Sequence, residues 1–157
     1  MGGRYSQLSY RKTECQVLEE FVVLTTCWNH YHIRGLSQRL KLISFNFCLA
    51  PSKFGELMEL GSNEFFHDLV GKWFTLLRNN SKSKVVNGLE FLAGLVLCSQ
   101  LGKFDERISC IYDIFDFDET GKMTRDELMI LLKSCIRGLA KMTVGLAVRL
   151  CEADRVG

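Results

Sequence analysis

The sequence has little of what marks several large classes of protein. It contains a single proline, Pro51, and scarcely any of the polar–apolar alternation that strands show, so it predicts an all-α fold. No apolar run approaches the roughly 18 residues that a bilayer crossing needs. The net charge of +2 is too small to indicate nucleic-acid binding. No signal peptide opens the chain, whose first residues are polar, so a cytoplasmic location is predicted.

Signs of disulfide, zinc or catalytic chemistry are also missing. The seven cysteines are an odd number without a C-x-x-C pair, which predicts reduced thiols. His30 and His32 do not share a helix face, and no cysteine or carboxylate stands at zinc spacing. His67 lies between apolar residues of a predicted helix, and there is no nucleophile elbow or phosphate-binding loop. We therefore predict that the chain is not an enzyme.

What the sequence does contain is a twelve-residue stretch, 116–127, which we call the acidic loop. Its sequence, DFDETGKMTRDE, offers oxygen atoms at positions 1, 3, 5, 7, 9 and 12. Gly121 occupies position 6, where the sharp turn needs a positive φ. This spacing is that of an EF-hand loop for Ca²⁺, with Mg²⁺ as a possible competitor. The predicted ligands are Asp116, Asp118, Thr120, Lys122 (through its carbonyl), Thr124 and Glu127.

Helices are predicted on both sides of the acidic loop. Apolar residues recur at three- and four-residue spacing from Phe104 to Phe115, and again from Arg125 to Ile136. This periodicity marks one buried face on each helix. The sequence therefore predicts a complete helix–loop–helix hand.

EF-hands work in pairs joined by a short β bridge, so a partner is expected upstream. Residues 79–90, the upstream loop, place Glu90 at position 12 and Val86 at position 8, where Val86 would lie opposite Met123. Ca²⁺ needs anionic oxygens to offset its dehydration, and positions 1, 3 and 5 carry none here. We predict a structural loop that binds no ion. The neutral and cationic residues of this loop are Asn79, Ser81, Lys82, Ser83 and Lys84.

The predicted organisation has three parts. Residues 1–61 form a degenerate N-terminal helical region, with a helix over 14–28 and a segment that could be a vestigial hand. Residues 62–137 hold the pair of hands. Residues 138–157 form a C-terminal helix, which either begins a further, truncated hand or docks on the rest of the chain.

Three runs around the acidic loop resemble the third hand of a known family: Phe104–Arg107, Ile114–Asp118 and Arg125–Leu128, with Gly121 between the last two. The family comprises the neuronal calcium sensor, calcineurin B and calcium- and integrin-binding groups of the EF-hand superfamily. The resemblance implies an EF-hand fold in which four hands form two lobes and an aberrant first hand is common. The chain departs from this pattern, since it has one competent loop and no fourth loop.

The first six residues, MGGRYS, match the pattern for N-myristoylation, with Gly2 as the acceptor. This start resembles those of myristoylated members of the groups just named. A single myristoyl chain anchors a protein only marginally, so a second signal is needed. Arg4, Arg11 and Lys12 supply a weak one. A peripheral membrane contact through an acyl chain is therefore predicted.

Together these features predict a calcium sensor or regulatory subunit that binds a target protein, such as an amphipathic helix. Three ligand carboxylates indicate an affinity on the order of 10⁻⁶ M, in the range of sensors. One alternative is a structural subunit of a cytoskeletal or ciliary assembly, in which the ion is a static brace. Another is a regulatory subunit of an enzyme such as a phosphatase, with the catalysis in the partner.

Overall fold

The computed structural model describes residues 28–58, 64–78, 82–98 and 102–156, and within these ranges the side chains of 64–69 and 144–156 are left undescribed. The described residues are mostly helical, which confirms the prediction of an all-α chain, and they include one small two-stranded sheet. In chain order the elements are α1 (His30–Ile43), β1 (Cys48–Leu49), α2 (Pro51–Met58), α3 (Glu64–Leu77), β2 (Val86–Asn87), α4 (Gly88–Cys98), α5 (Phe104–Phe115) and α6 (Arg125–Val156). Within these ranges, none of the helices has both the length and the apolarity that a bilayer crossing requires.

Helix α1 begins at a reciprocal cap. The Asn29 side chain accepts hydrogen bonds from the backbone N–H groups of Tyr31 (3.0 Å) and His32 (3.2 Å). In return, the Asn29 N–H donates to Nδ1 of His32 at 3.2 Å. These bonds satisfy N–H groups that a helix start leaves without intrahelical partners. His30 and His32 therefore belong to the first turn of a capped helix.

The sheet joins two helix–strand–helix units, α1–β1–α2 and α3–β2–α4. Its strands are antiparallel, with Leu49 opposite Val86 and Cys48 opposite Asn87. The expectation that Val86 lies opposite Met123 is therefore wrong. The strand that pairs with Val86 is formed by residues 48–49. These residues carry no side-chain oxygen ligands for Ca²⁺, so the spacing of ligands could not identify the strand.

The core lies between these two units and extends towards α5. Phe54 of α2 contacts Phe91 of α4 edge to face, with ring centroids 5.3 Å apart. It contacts Phe74 of α3 in the same manner at 6.1 Å. Trp73 is also fully buried, and nearly all of α4 from Gly88 to Val96 is inaccessible. Burial of this many large apolar side chains is the main favourable term in the stability of the fold.

Helix α6 runs without a break for 32 residues. The predicted division at 137/138 falls inside this helix, and its middle packs against α4. At the crossing, a Cβ added to Gly138 would lie 2.2 Å from the carbonyl oxygen of Glu90 and 2.8 Å from the backbone nitrogen of Gly94. Only glycine allows the two backbones to approach this closely.

An ion pair accompanies the helix crossing. The Glu90 carboxylate is 2% exposed and lies 2.5 Å from Nζ of Lys141 and 3.5 Å from a guanidinium nitrogen of Arg137. A carboxylate buried this deeply is stable only when it is paired and hydrogen-bonded. The ion pair therefore holds α6 in one register on α4.

Candidate metal centre

The acidic loop is held at both ends by helix caps. The Asp116 N–H donates to the Tyr112 carbonyl at 3.0 Å and ends α5. At the other end, the Thr124 N–H donates to Oε2 of Glu127 (2.7 Å), and the Glu127 N–H donates to the Thr124 hydroxyl (3.2 Å). This reciprocal pair is a capping box, which the order Thr-x-x-Glu favours. It places the Glu127 carboxylate back over the loop.

A sharp turn folds the middle of the loop onto its start. Glu119 and Gly121 have positive φ angles of 55° and 71°. The Gly121 N–H donates to Oδ2 of Asp116 at 2.9 Å, and the Tyr112 hydroxyl donates to the Gly121 carbonyl at 3.0 Å. The sequence predicted the turn at Gly121, where a left-handed backbone carries little steric cost. It did not predict the support from the Tyr112 hydroxyl.

The turn brings three carboxylates together. One oxygen each of Asp116, Asp118 and Glu127 lies within 4.8 Å of the others. Asp116 and Glu127 are buried, whereas Asp118 is exposed. Anionic groups this close repel each other, so the arrangement favours either protonation or a bound cation.

A buried oxygen of Asp116 is a candidate contact for a cation. Its Oδ1 atom is inaccessible and has no hydrogen-bond partner among the described residues. A buried carboxylate oxygen in this condition is costly unless a proton or a cation satisfies it. The other oxygen, Oδ2, accepts the Gly121 N–H, and two further carboxylates lie close by, so a cation is a fitting partner for Oδ1.

Hydrogen bonds keep the neighbouring carboxylates ionised. The Thr120 hydroxyl, and then its backbone N–H, lower the pKa of Asp118. The backbone N–H and the hydroxyl of Thr124, helped by the Phe117 N–H, lower the pKa of Glu127. Both groups therefore carry negative charge at neutral pH, which is the form that binds a cation.

The three remaining predicted ligands lie beside the carboxylates. The Thr120 hydroxyl is 2.8 Å from Oδ1 of Asp118 and 3.1 Å from the Lys122 carbonyl oxygen. The Thr124 hydroxyl is 2.8 Å from Oε2 of Glu127. All the donor atoms of this set are oxygens, which suit a hard cation such as Ca²⁺ or Mg²⁺. The residues present therefore fit the predicted ion.

Helix α1 packs beside this centre, which the sequence did not predict. Phe117 stacks on Phe47, with ring centroids 5.5 Å apart and the planes inclined by 29°. The Arg34 guanidinium forms an ion pair with Asp113 of α5. Because Phe47 has a positive φ of 58°, its ring is held by a backbone conformation that few aromatic residues adopt. These contacts join residues far apart in sequence, so neither motif nor periodicity could reveal them.

The upstream loop is described from residue 82 onwards. Its position-12 residue, Glu90, pairs with Lys141 and Arg137 of α6. Several predictions concern residues outside the described ranges: Gly2, Asn79, Ser81 and the helix predicted over 14–28, of which only Trp28 is described. The side chain of His67 is not described either. The predictions that involve them stay predictions.

Comparison of the chain with protein-family models, curated protein sequences and solved structures finds no match. The function therefore has to be inferred from the geometry of the acidic loop and its surroundings.

Proposed function

We propose that this chain is an EF-hand protein that binds one Ca²⁺ ion in the acidic loop and, in response, binds a target protein. The observation that carries the proposal is the buried, unpartnered Oδ1 of Asp116 beside the carboxylates of Asp118 and Glu127. A single chelating centre suits sensing better than buffering. The proposed location is the cytoplasm, with a peripheral membrane contact if Gly2 is acylated.

Each of the predicted ligands has a role in this proposal. Asp116 and Asp118 supply anionic oxygens from the first half of the loop, and Thr120 and the Lys122 carbonyl complete that side. Glu127 closes the site from the first turn of α6. The ion supplies the positive charge that offsets the repulsion among these groups. Because Glu127 belongs to α6, a change in its position moves the start of that helix.

The upstream loop is not expected to bind a second ion, which supports one ion per chain. Its carboxylate at position 12, Glu90, already accepts hydrogen bonds from Lys141 and Arg137. The Lys141 ammonium therefore already neutralises the Glu90 carboxylate, which an ion in the upstream loop would need as a ligand. Binding an ion in the upstream loop would require this buried pair to break.

The surface proposed for the target is the face of α4 that α6 covers. Helix α4 is apolar and almost completely buried. If Ca²⁺ draws Glu127 and shifts α6, part of this face becomes accessible to an amphipathic helix. The catalysis of any associated enzyme would then reside in the partner.

Two contacts favour the alternative of a structural subunit in a cytoskeletal or ciliary assembly. The close backbone contact at Gly138 and the ion pair of Glu90 with Lys141 both resist movement of α6 on α4. In that case the ion braces the loop, and no new apolar surface is exposed.

A calorimetric calcium titration of the full chain tests the proposal. We expect one site with a dissociation constant on the order of 1 µM. Glu127→Gln should weaken binding by about tenfold or more, because it removes an anionic bidentate ligand. Asp126→Asn is the matched control, since it removes the same charge one residue away without touching a predicted ligand, and it should change the affinity by less than about threefold.

Absence of binding by the native chain at millimolar Ca²⁺ would contradict the ion site. A dye that reports apolar surface, measured in the same titration, separates the two functions. Its fluorescence should rise with Ca²⁺ for a sensor and stay constant for a structural subunit.

A further inference from the structure

The outer sides of α5 and α6 carry large apolar side chains that remain exposed. We call this surface the outer stripe. Its residues lie three or four positions apart within each helix, so they share one side of α5 and one side of α6. They are between 41% and 72% exposed: Phe104, Ile108, Leu128, Leu132, Ile136 and Leu139. Exposed large apolar side chains in such number indicate a candidate interaction surface.

The acidic loop also offers an unpaired strand position. Met123 stands at position 8 of its loop, as Val86 does in the upstream loop. Val86 pairs with Leu49, whereas no strand of the described ranges pairs with the acidic loop. The Thr124 N–H and the Lys122 carbonyl on either side are already hydrogen-bonded within the loop, so Met123 itself is the residue at which another extended segment could pair.

The chain shows what kind of segment fits. Its loops pair antiparallel, and such a ladder between two identical segments has two-fold symmetry. If Met123 lies opposite its own copy, Lys122 lies opposite Thr124 of the second copy, so no like charges face each other. An amphipathic helix could cover the outer stripe, but it could not pair with the strand position.

We propose that two copies of the chain associate about a two-fold axis, with Met123 paired to Met123 and the outer stripes packed together. The exposed apolar area of the stripe is on the order of 600 Å² per copy, compared with roughly 800 Å² per partner in a standard interface. A reversible dimer with a dissociation constant in the range of about 1–10 µM is therefore expected.

This interface adjoins the acidic loop, since Met123 lies between the predicted ligands Lys122 and Thr124. It uses neither the side chains of the predicted ligands nor the face of α4 that α6 covers. The dimer and the calcium site can therefore fail independently of each other. Calcium titrations on the same samples distinguish the two failures.

Sedimentation equilibrium of the full chain tests the dimer. Between about 1 and 200 µM, the mean mass should rise from the 18.0 kDa of one chain towards twice that value. The double variant Leu132→Glu with Ile136→Glu should remain monomeric, because it places four carboxylates in the interface. The control, Tyr31→Glu with Leu42→Glu, changes two large residues of α1 that are even more exposed and should dimerise like the native chain.

A photo-crosslinking amino acid at position 123 tests the register. It should give a covalent dimer in which the linked peptides both contain position 123, and the same amino acid at position 42 should not. A native chain that stays monomeric at 200 µM would overturn the proposal. This result would also be obtained if another segment of the chain or a target protein covered the outer stripe. A dimer that survives the double variant and lacks the 123–123 crosslink would overturn it as well.

Discussion

Two glutamates at equivalent helix positions are used in different ways. Glu90 is the third residue of α4, after the cap at Asn87, and Glu127 is the third residue of α6, after the cap at Thr124. Glu127 turns back to its own cap and lies over the acidic loop. Glu90 instead pairs with Lys141 of α6, which is distant in the sequence. The same residue in the same local position therefore belongs to the candidate metal centre in one loop and to helix packing in the other.

Removing one member of the Glu90–Lys141 pair should destabilise the fold strongly. Glu90→Gln leaves the ammonium of Lys141, itself 14% exposed, without its carboxylate, so we expect a loss of about 3 kcal/mol in the free energy of unfolding by urea. The double variant Glu90→Gln with Lys141→Met should recover part of this loss, because neither charge then remains buried.

A surface ion pair provides the control for this experiment. Lys53 and Glu56 are 2.8 Å apart and both about half exposed, so Glu56→Gln should cost less than about 0.5 kcal/mol. Equal losses at the two sites would show that the Glu90 pair contributes no more than a surface pair.

Helix α6 connects the metal centre with the rest of the fold. Its first turn carries Glu127, and its middle crosses α4 at Gly138 and Gly94. Because a helix is stiff along its axis, movement at the first turn is transmitted to this crossing. Glycine is unfavourable inside a helix, so its presence at the crossing is explained by the close approach of the two backbones.

A methyl group at the crossing should separate the two helices. Gly138→Ala should lower the free energy of unfolding by about 1–3 kcal/mol, although alanine is the better helix former, because its Cβ would overlap the Glu90 carbonyl. Gly35→Ala in α1 meets nothing within 4 Å and should raise stability by about 0.8 kcal/mol. Thermal or urea unfolding of both variants measures the contrast. A stabilising Gly138→Ala would show that the helices do not cross where the structure places them.

At the scale of the whole molecule, α1 ties the metal centre to the paired units. His30 lies 3.8 Å from Glu106, and Arg34 pairs with Asp113, both along α5. The stack of Phe47 on Phe117 joins the turn before β1 to the acidic loop. These contacts predict one cooperative unit in which the loop does not unfold alone.

Calcium should therefore stabilise the whole chain in a single transition. At a free Ca²⁺ concentration about 1,000 times the dissociation constant, binding adds about 4 kcal/mol to the folded state, and Tm should rise by about 10 °C. Calorimetric scans with and without Ca²⁺ measure this shift, and Glu127→Gln should abolish most of it. Two separate transitions, of which only one responds to Ca²⁺, would show that the metal centre is a body of its own.

The sequence by itself determined the local features of this protein. The candidate ligand positions of the acidic loop, the turn at Gly121 and the helices on either side all depend on residues within a few positions of one another. The mostly helical character follows from apolar spacing in the same way, and the structure confirms it. Ligand geometry and helix periodicity are short-range properties, so a single chain segment contains the information that specifies them.

Only the tertiary structure decided which segments meet. A two-residue strand has too few side chains to specify its partner, so the pairing of Val86 with Leu49 followed from the packing of the helices around it. The unbroken course of α6, its crossing at Gly138 and the stack of Phe47 on Phe117 are likewise long-range contacts. Such contacts depend on the complementary shape of surfaces far apart in the chain, which local pattern does not encode.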